Sequence, residues 1–280
     1  MNDVYVFPGQ GSQKIGMGEE LFNKYSDLIS QADEILGYSV KELCLEGPIE
    51  KLSQTQFTQP ALYIVNALNF YEKEKEAEDA PAYTAGHSLG EYNALLAAGV
   101  FDFATGLKLV AKRGEIMSKV EGGGMAAVLG MSSADIKKTL EDSGLDKIDV
   151  ANFNSPKQTV LSGMKEDIVA AEEAFKAAGA KRYVVLPVSG AFHSRYMEGP
   201  QEEFKEFASQ FEFNAPKIPV ISNINATEYE ADNILYTLTG QISSSVRWVE
   251  TIELIKSKGE FEFSELGPGK VLTSLIRQIG

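Results

Sequence analysis

Short apolar runs alternate along the chain with longer stretches of helical period. Val4–Phe7 is an apolar run stopped by Pro8-Gly9, which predicts a buried strand and a turn. A helical pattern follows over Glu19–Gly37. Leu62, Val65, Leu68 and Tyr71 recur at helical spacing, so Gln59–Tyr71 reads as a helix with Pro60 in its first turn. Lys73–Asp79 is charged and reads as a solvated helix end and loop. Tyr83–Ala85 reads as a strand ending at Gly86, and Leu89–Ala98 as a helix closed by Gly99. Asp102 has the chemistry of an N-cap for a helix that runs to Val120.

The pattern changes after Gly122-Gly123-Gly124, the best linker candidate in the chain. Strands at Met125–Leu129 and Ile148–Asn152 flank a helix at Ser132–Ser143. Strands at Thr159–Ser162 and Arg182–Val185 flank a helix at Asp167–Ala178. Strand-helix-strand, repeated once, is the order of a ferredoxin-like unit. The larger α/β pattern resumes near Pro187. It continues with a strand at Val220–Ser222, a helix at Trp248–Lys258 and a last strand at Phe261–Leu266. Gly267-Pro268-Gly269 then turns the chain into a C-terminal helix.

Bulk properties narrow the class. A chain of 280 residues has room for a large domain carrying a smaller one. With 44% hydrophobic and 24% charged residues it has an ordinary globular composition. No apolar run reaches the roughly 20 residues that cross a bilayer. Met1-Asn2-Asp3-Val4 lacks the basic-then-apolar pattern of a signal peptide. The single cysteine, Cys44, excludes an internal disulfide, and with two histidines it argues against a structural zinc site. A cytoplasmic protein without a bound metal is expected. The net charge of −14 argues against nucleic-acid binding, which depends on neutralising phosphates.

The strongest chemical signal is Gly86-His87-Ser88-Leu89-Gly90, a Gly-x-Ser-x-Gly elbow between a strand and a helix. Such a turn lifts the serine hydroxyl above the sheet and places it at a helix N-terminus, where unpaired N–H groups favour developing negative charge. A serine needs a base. His87 adjoins Ser88 and should point away from it. His193, in Ser189-Gly190-Ala191-Phe192-His193-Ser194, is then the candidate base, and it follows the serine as elbow enzymes require. No third-member carboxylate stands out, so a backbone carbonyl is an alternative orienting group.

Pro8-Gly9-Gln10-Gly11-Ser12-Gln13 fails the dinucleotide pattern because Lys14 replaces the last glycine, and no P-loop follows. It serves either as a plain tight turn or as the second half of an oxyanion hole, with Gln10 N–H joining Leu89 N–H. Arg113 falls at the edge of the apolar face of its helix. It needs a carboxylate or a set of carbonyls there: an ion pair with a nearby glutamate is one reading, and beside a nucleophilic serine a clamp for a substrate carboxylate is the other.

Taken together, these residues resemble the malonyl-CoA:acyl carrier protein transacylases and the related acyltransferases of polyketide synthases. The matching stretches are PGQGSQ at 8–13, TQPAL at 58–62, GHSLGE at 86–91, KRGEIM at 112–117, ANFNSP at 151–156, AFHS at 191–194 and GPGKVL at 267–272. The resemblance implies an α/β-hydrolase-like core with a parallel sheet, formed by residues 1–123 and 188–280, and an inserted ferredoxin-like subdomain at 124–187. It implies Ser88 as nucleophile, His193 as base, Gln10 and Leu89 as the oxyanion hole, and Arg113 as partner of the malonyl carboxylate. Gln59, Phe192 and Asn154 would line the substrate pocket. The histidine would be oriented by a main-chain carbonyl near Gln241.

On this reading malonyl-CoA is a substrate and no cofactor is expected. The partner is an acyl carrier protein, with polyketide synthase modules as a candidate source. QTQFTQPALYIVNAL at 54–68, GVFDFATGL at 99–107 and GGGMAAVLG at 122–130 resemble discrete, trans-acting acyltransferases of polyketide synthases more than fatty-acid housekeeping enzymes. The alternatives are a fatty-acid malonyl transacylase and an acyl hydrolase of the same fold.

Overall fold

The structure is a computed structural model that describes residues 3–280. Met1 and Asn2, part of the stretch read as lacking a signal-peptide pattern, lie outside the described residues. Two four-stranded sheets organise the chain. The first joins β1 (Asp3–Phe7), β2 (Tyr83–Gly86), β7 (Val220–Ile221) and β8 (Glu262–Glu265) in the order β7-β2-β1-β8, all parallel. The second joins β3 (Gly123–Leu129), β4 (Asp149–Ser155), β5 (Gln158–Met164) and β6 (Arg182–Val185) in the order β4-β5-β3-β6, with every adjacent pair antiparallel.

The apolar run of β1 is explained by burial on both faces, as parallel sheets require. Tyr5 and Phe7 pack with the helices of one layer, and Val4 and Val6 pack with Trp248, Ile252 and Leu272 on the other. The second sheet also divides its side chains. Ala126 and Val128 of β3 face the helices of their own unit, with Ile136 and Phe175, whereas Met125 and Ala127 join the main core. One face of the small sheet is thereby turned to the main core.

Several expected elements differ in detail. Glu19–Gly37 is two helices, Glu19–Phe22 and Ser26–Leu36. The helix predicted from Gln59 begins at Thr55 and runs to Glu76, so Pro60 lies inside it and not in its first turn. Its opening TQFTQ segment carries no apolar stripe. It is held instead by the Thr58 hydroxyl, which donates to Leu52 O at 2.5 Å, and by burial of Thr58 and Gln59. Gly123 and Gly124, read as linker, are already paired in β3 with Met164 and Gly163. The helix expected at Asp167–Ala178 is two, Lys165–Ala170 and Glu172–Ala177. The helices Glu198–Ala208 and Ile234–Gly240 were not expected. The first buries only Phe204 and Ala208 and contains Gly199 and Pro200, and the second is short and buried along most of its length. Among the described residues, no helix is long and apolar enough to cross a membrane.

The small sheet is fastened to the segments that carry Gln241, Ser244 and His193. In β4, Phe153 N donates to Val246 O at 2.9 Å, and Val246 N donates to Ala151 O at 2.8 Å. The carboxylate of Asp149, at the start of β4, accepts from the Arg195 backbone N–H at 2.9 Å and from its guanidinium.

Candidate active site

Ser88 sits between the end of β2 and the helix Gly90–Ala97, with φ of 51°. The elbow is tight: a Cβ on Gly90 would overlap the Phe7 carbonyl, so no larger residue fits there. Asn223 holds the turn from outside. Its Oδ1 accepts from Ser88 N at 2.7 Å and its Nδ2 donates to Gly86 O at 2.7 Å.

His193, which follows the small-sheet segment in sequence, returns to this point. Its Nε2 lies 2.7 Å from Ser88 Oγ. Its Nδ1 donates to Gln241 O at 2.8 Å and to Ser244 O at 3.2 Å. Two carbonyls on Nδ1 place the proton there and leave Nε2 as the acceptor for the serine hydroxyl. No side-chain carboxylate bonds the imidazole among the described residues. Burial, with the Arg113 charge beside it, holds the imidazole far below its ordinary range, at about 3. The ring is therefore neutral at physiological pH, with Nε2 unprotonated. His193 also has a left-handed backbone, with φ of 58°.

Arg113 is more deeply placed than its sequence position suggested. The helix Phe103–Ser118 packs along Thr55–Glu76, and Arg113 is 1% exposed, so it lies in the core and not at the edge of an apolar face. Among the described residues it makes no ion pair with a glutamate, and its Nε has no partner. Its Nη1 donates to Gln59 Oε1 at 2.7 Å, and its Nη2 donates to Gln241 Oε1 at 2.8 Å and to Ser88 Oγ at 3.1 Å. The guanidinium also lies over the Tyr92 ring, 5.6 Å from the centroid. A buried cation held only by neutral oxygens, with a donor left over, is arranged to receive an anion.

The cavity at Ser88 measures about 220 Å³. Gln10, Gln59, Leu89, Arg113, Phe192 and Asn154 all line it, so every expected pocket residue is brought to one place. The small sheet supplies its wall through Met125, Ala127, Asn152 and Val160. Neither Gln10 N–H nor Leu89 N–H donates to another group among the described residues. The two segments are close: a Cβ on Gly9 would overlap His87 O and lie 3.7 Å from Leu89 N. Asn154 has a further partner, because its Oδ1 lies 2.7 Å from His87 Nε2. His87 therefore points away from Ser88, into the small sheet and edge-on to Trp248 at 5.7 Å. Burial lowers its proton affinity as well.

Sequence reasoning passed over Glu91 and Asn223. Glu91 lies in GHSLGE, but a glutamate in the first turn of a helix ordinarily caps it in solvent. The available signal was its setting in a helix with no polar face, since Gly90 to Leu96 are all buried.

An elbow serine, a carbonyl-oriented histidine and a buried arginine on the serine hydroxyl define an acyl-transferring enzyme. The chain belongs to the acyl transferase domain family, whose model matches residues 4–278. It is similar to the polyketide biosynthesis malonyl CoA-acyl carrier protein transacylase BaeC of Bacillus velezensis. The two are 55% identical over 277 residues, covering 99% of this chain and 96% of BaeC. The fold matches a crystal structure of malonyl CoA-acyl carrier protein transacylase from Burkholderia pseudomallei with TM-score 0.96 at 47% identity, covering 100% of this chain and 98% of that one. It also matches PlMCAT:AntF, a type II PKS acyl-carrier protein in complex with its malonyl-transacylase, with TM-score 0.94 at 37% identity, covering 100% and 93% of the two chains.

Proposed function

We propose that this chain moves a malonyl group from coenzyme A to an acyl carrier protein through a malonyl ester on Ser88, and that it serves polyketide carrier proteins supplied in trans. The observation that carries this reading is the Arg113 guanidinium, buried without a carboxylate partner and hydrogen-bonded to the nucleophile itself. A monoacyl group would leave that cation uncompensated, whereas a malonyl group brings its own carboxylate to it. The likeness to BaeC over nearly the whole chain supports the polyketide assignment.

His193 takes the Ser88 proton through Nε2, and Ser88 Oγ attacks the thioester carbonyl. The Gln10 and Leu89 N–H groups stabilise the oxyanion. Collapse of the intermediate expels the coenzyme A thiolate, which takes the proton back from His193. The pantetheine thiol of the carrier then repeats the sequence in reverse and frees Ser88. No cofactor enters these steps.

The fold divides accordingly. Residues 1–123 and 188–280 form an α/β-hydrolase-like core that holds the catalytic pair, and residues 124–187 form a ferredoxin-like subdomain that walls the pocket. The antiparallel order β4-β5-β3-β6 with helices on one face supports the second assignment.

The test is incubation with malonyl-CoA followed by intact mass analysis. A malonyl adduct on Ser88 that persists until a carrier protein is added supports transfer. Steady release of free malonate without a carrier would make the protein a hydrolase and end this reading.

A further inference from the structure

Among the described residues, Glu91 is the only buried carboxylate, and it makes no ion pair. Its Oε2 accepts from Gln241 Nε2 at 2.7 Å and from Asn223 N at 3.3 Å, and its Oε1 accepts from the Tyr229 hydroxyl. The mechanism above gives it no task.

Gln241 shows what that task is. Its Nε2 donates to Glu91 Oε2 and, at 2.7 Å, to Ser88 O. Both amide protons are therefore committed, and Oε1 must face the other way, toward Arg113 Nη2 at 2.8 Å. A glutamine amide can turn over, because its two ends have nearly the same shape. The group facing it cannot, because Glu91 Oε2 also faces the Asn223 backbone N–H, which only donates and so requires an acceptor there whether the carboxyl is charged or protonated. Turned over, Gln241 would aim N–H groups at the Arg113 cation and an oxygen at two other oxygens. We propose that Glu91 is a positioning residue that locks the Gln241 amide in this orientation and so holds Arg113 beside Ser88 Oγ.

The main chain of Gln241 is anchored separately. Ile242 N donates to Thr239 O at 3.2 Å, and His193 N donates to Ile242 O at 3.1 Å. The histidine's orienting carbonyl thus stays in place when the side chain turns. Loss of Glu91 then weakens recognition of the acyl carboxylate more than it slows proton transfer. This expectation rests on the reading that Arg113 receives the malonyl carboxylate.

The experiment compares Glu91→Leu and Glu91→Gln in malonyl loading of Ser88. Glu91→Leu should raise KM for malonyl-CoA roughly tenfold or more, with a smaller fall in kcat. In Glu91→Gln the Asn223 N–H holds the new amide oxygen toward Gln241 Nε2, so KM should return to within about threefold of the wild type. An unchanged KM in Glu91→Leu, or a Glu91→Gln variant as impaired as Glu91→Leu, overturns the proposal. Side-chain amide NMR of the wild-type protein decides the matter if Glu91→Leu does not fold. Both Gln241 amide protons should exchange with solvent far more slowly than those of exposed Gln210, and equal exchange overturns the proposal. This measurement needs no substrate. A wild type that fails to form the malonyl ester would therefore defeat the functional reading and still leave the amide lock tested.

Discussion

Ser88 Oγ and His193 Nε2 stand 2.7 Å apart, and both residues hold a left-handed backbone that non-glycine residues avoid. Each such residue costs on the order of 1–3 kcal/mol, so the surrounding contacts must impose it. For Ser88 they are the bonds from Asn223 to its N–H and to Gly86 O. For His193 they are the bonds to Gln241 O and Ile242 O. Asn223→Ala should therefore slow acylation of Ser88 by roughly a hundredfold while the fold persists, because the hydroxyl loses its aim. Stopped-flow loading with malonyl-CoA, alongside circular dichroism, checks this.

The pH dependence of acylation follows from His193. Its imidazole takes a proton only near pH 3 in the folded protein, against 6.5 for the ordinary side chain. The neutral base persists as pH falls through 6.5, so kcat/KM for malonyl-CoA should show no half-loss near that value. The same shift weakens folding in acid. The unfolded chain binds the proton at 6.5 and the folded one does not, so this contribution to stability falls from pH 6.5 down toward 3. A rate profile with a midpoint near 6.5 would contradict the burial argument.

Glu91 carries the opposite sign. Burial pushes its carboxyl from 4.5 up to about 7, so the folded state holds the proton where the unfolded chain has released it. Its contribution to stability is full below 4.5 and is lost as pH rises to 7, with a total of roughly 3 kcal/mol. Glu91→Gln does not titrate. Urea unfolding at pH 5 and pH 8 should show the variant gaining stability relative to the wild type as pH rises. A constant difference between the two proteins would refute the shift.

Arg113→Ala removes the cation and leaves Gln59 Oε1 and Gln241 Oε1 without a donor. Malonyl-CoA loading should fall by on the order of a hundredfold or more in kcat/KM, and stability should drop by about 1–3 kcal/mol. Loading assays with thermal unfolding test both parts. Undiminished malonyl transfer would remove Arg113 from substrate recognition.

Phe192 is 5% exposed and lines the cavity with Ser88, and its ring is expected to crowd an α-methyl group on the substrate. Phe192→Ala should raise methylmalonyl relative to malonyl loading by roughly tenfold, in keeping with about 1–3 kcal/mol for one methyl in a pocket. Competition between the two thioesters, read by mass spectrometry, measures the ratio.

What could be read before folding was local. The elbow, its glycines and the strand and helix that flank it are short-range patterns, and they appear where expected, whereas several helix boundaries do not. Arg113 was legible as an anomaly on an apolar helix, but its full burial was not, because Gln59 and Gln241 come from distant segments. Glu91 resembled an ordinary first-turn acid, and only Tyr229 and Gln241, more than a hundred residues away, show otherwise. Pro60 was misplaced because the turns before it are stabilised by buried threonine and glutamine and so lack an apolar stripe.

The pairing of β4 with Val246 also bears on synthesis of the chain. Ser88 emerges from the ribosome early, but the carbonyls that orient His193 belong to Gln241 and Ser244, and the segment bearing them is fastened to a strand made some ninety residues before it. A nascent chain therefore carries its nucleophile without an aligned base until the segment bearing Gln241 and Ser244 has been translated. A copy cut short before that segment should be inert instead of wasting thioester.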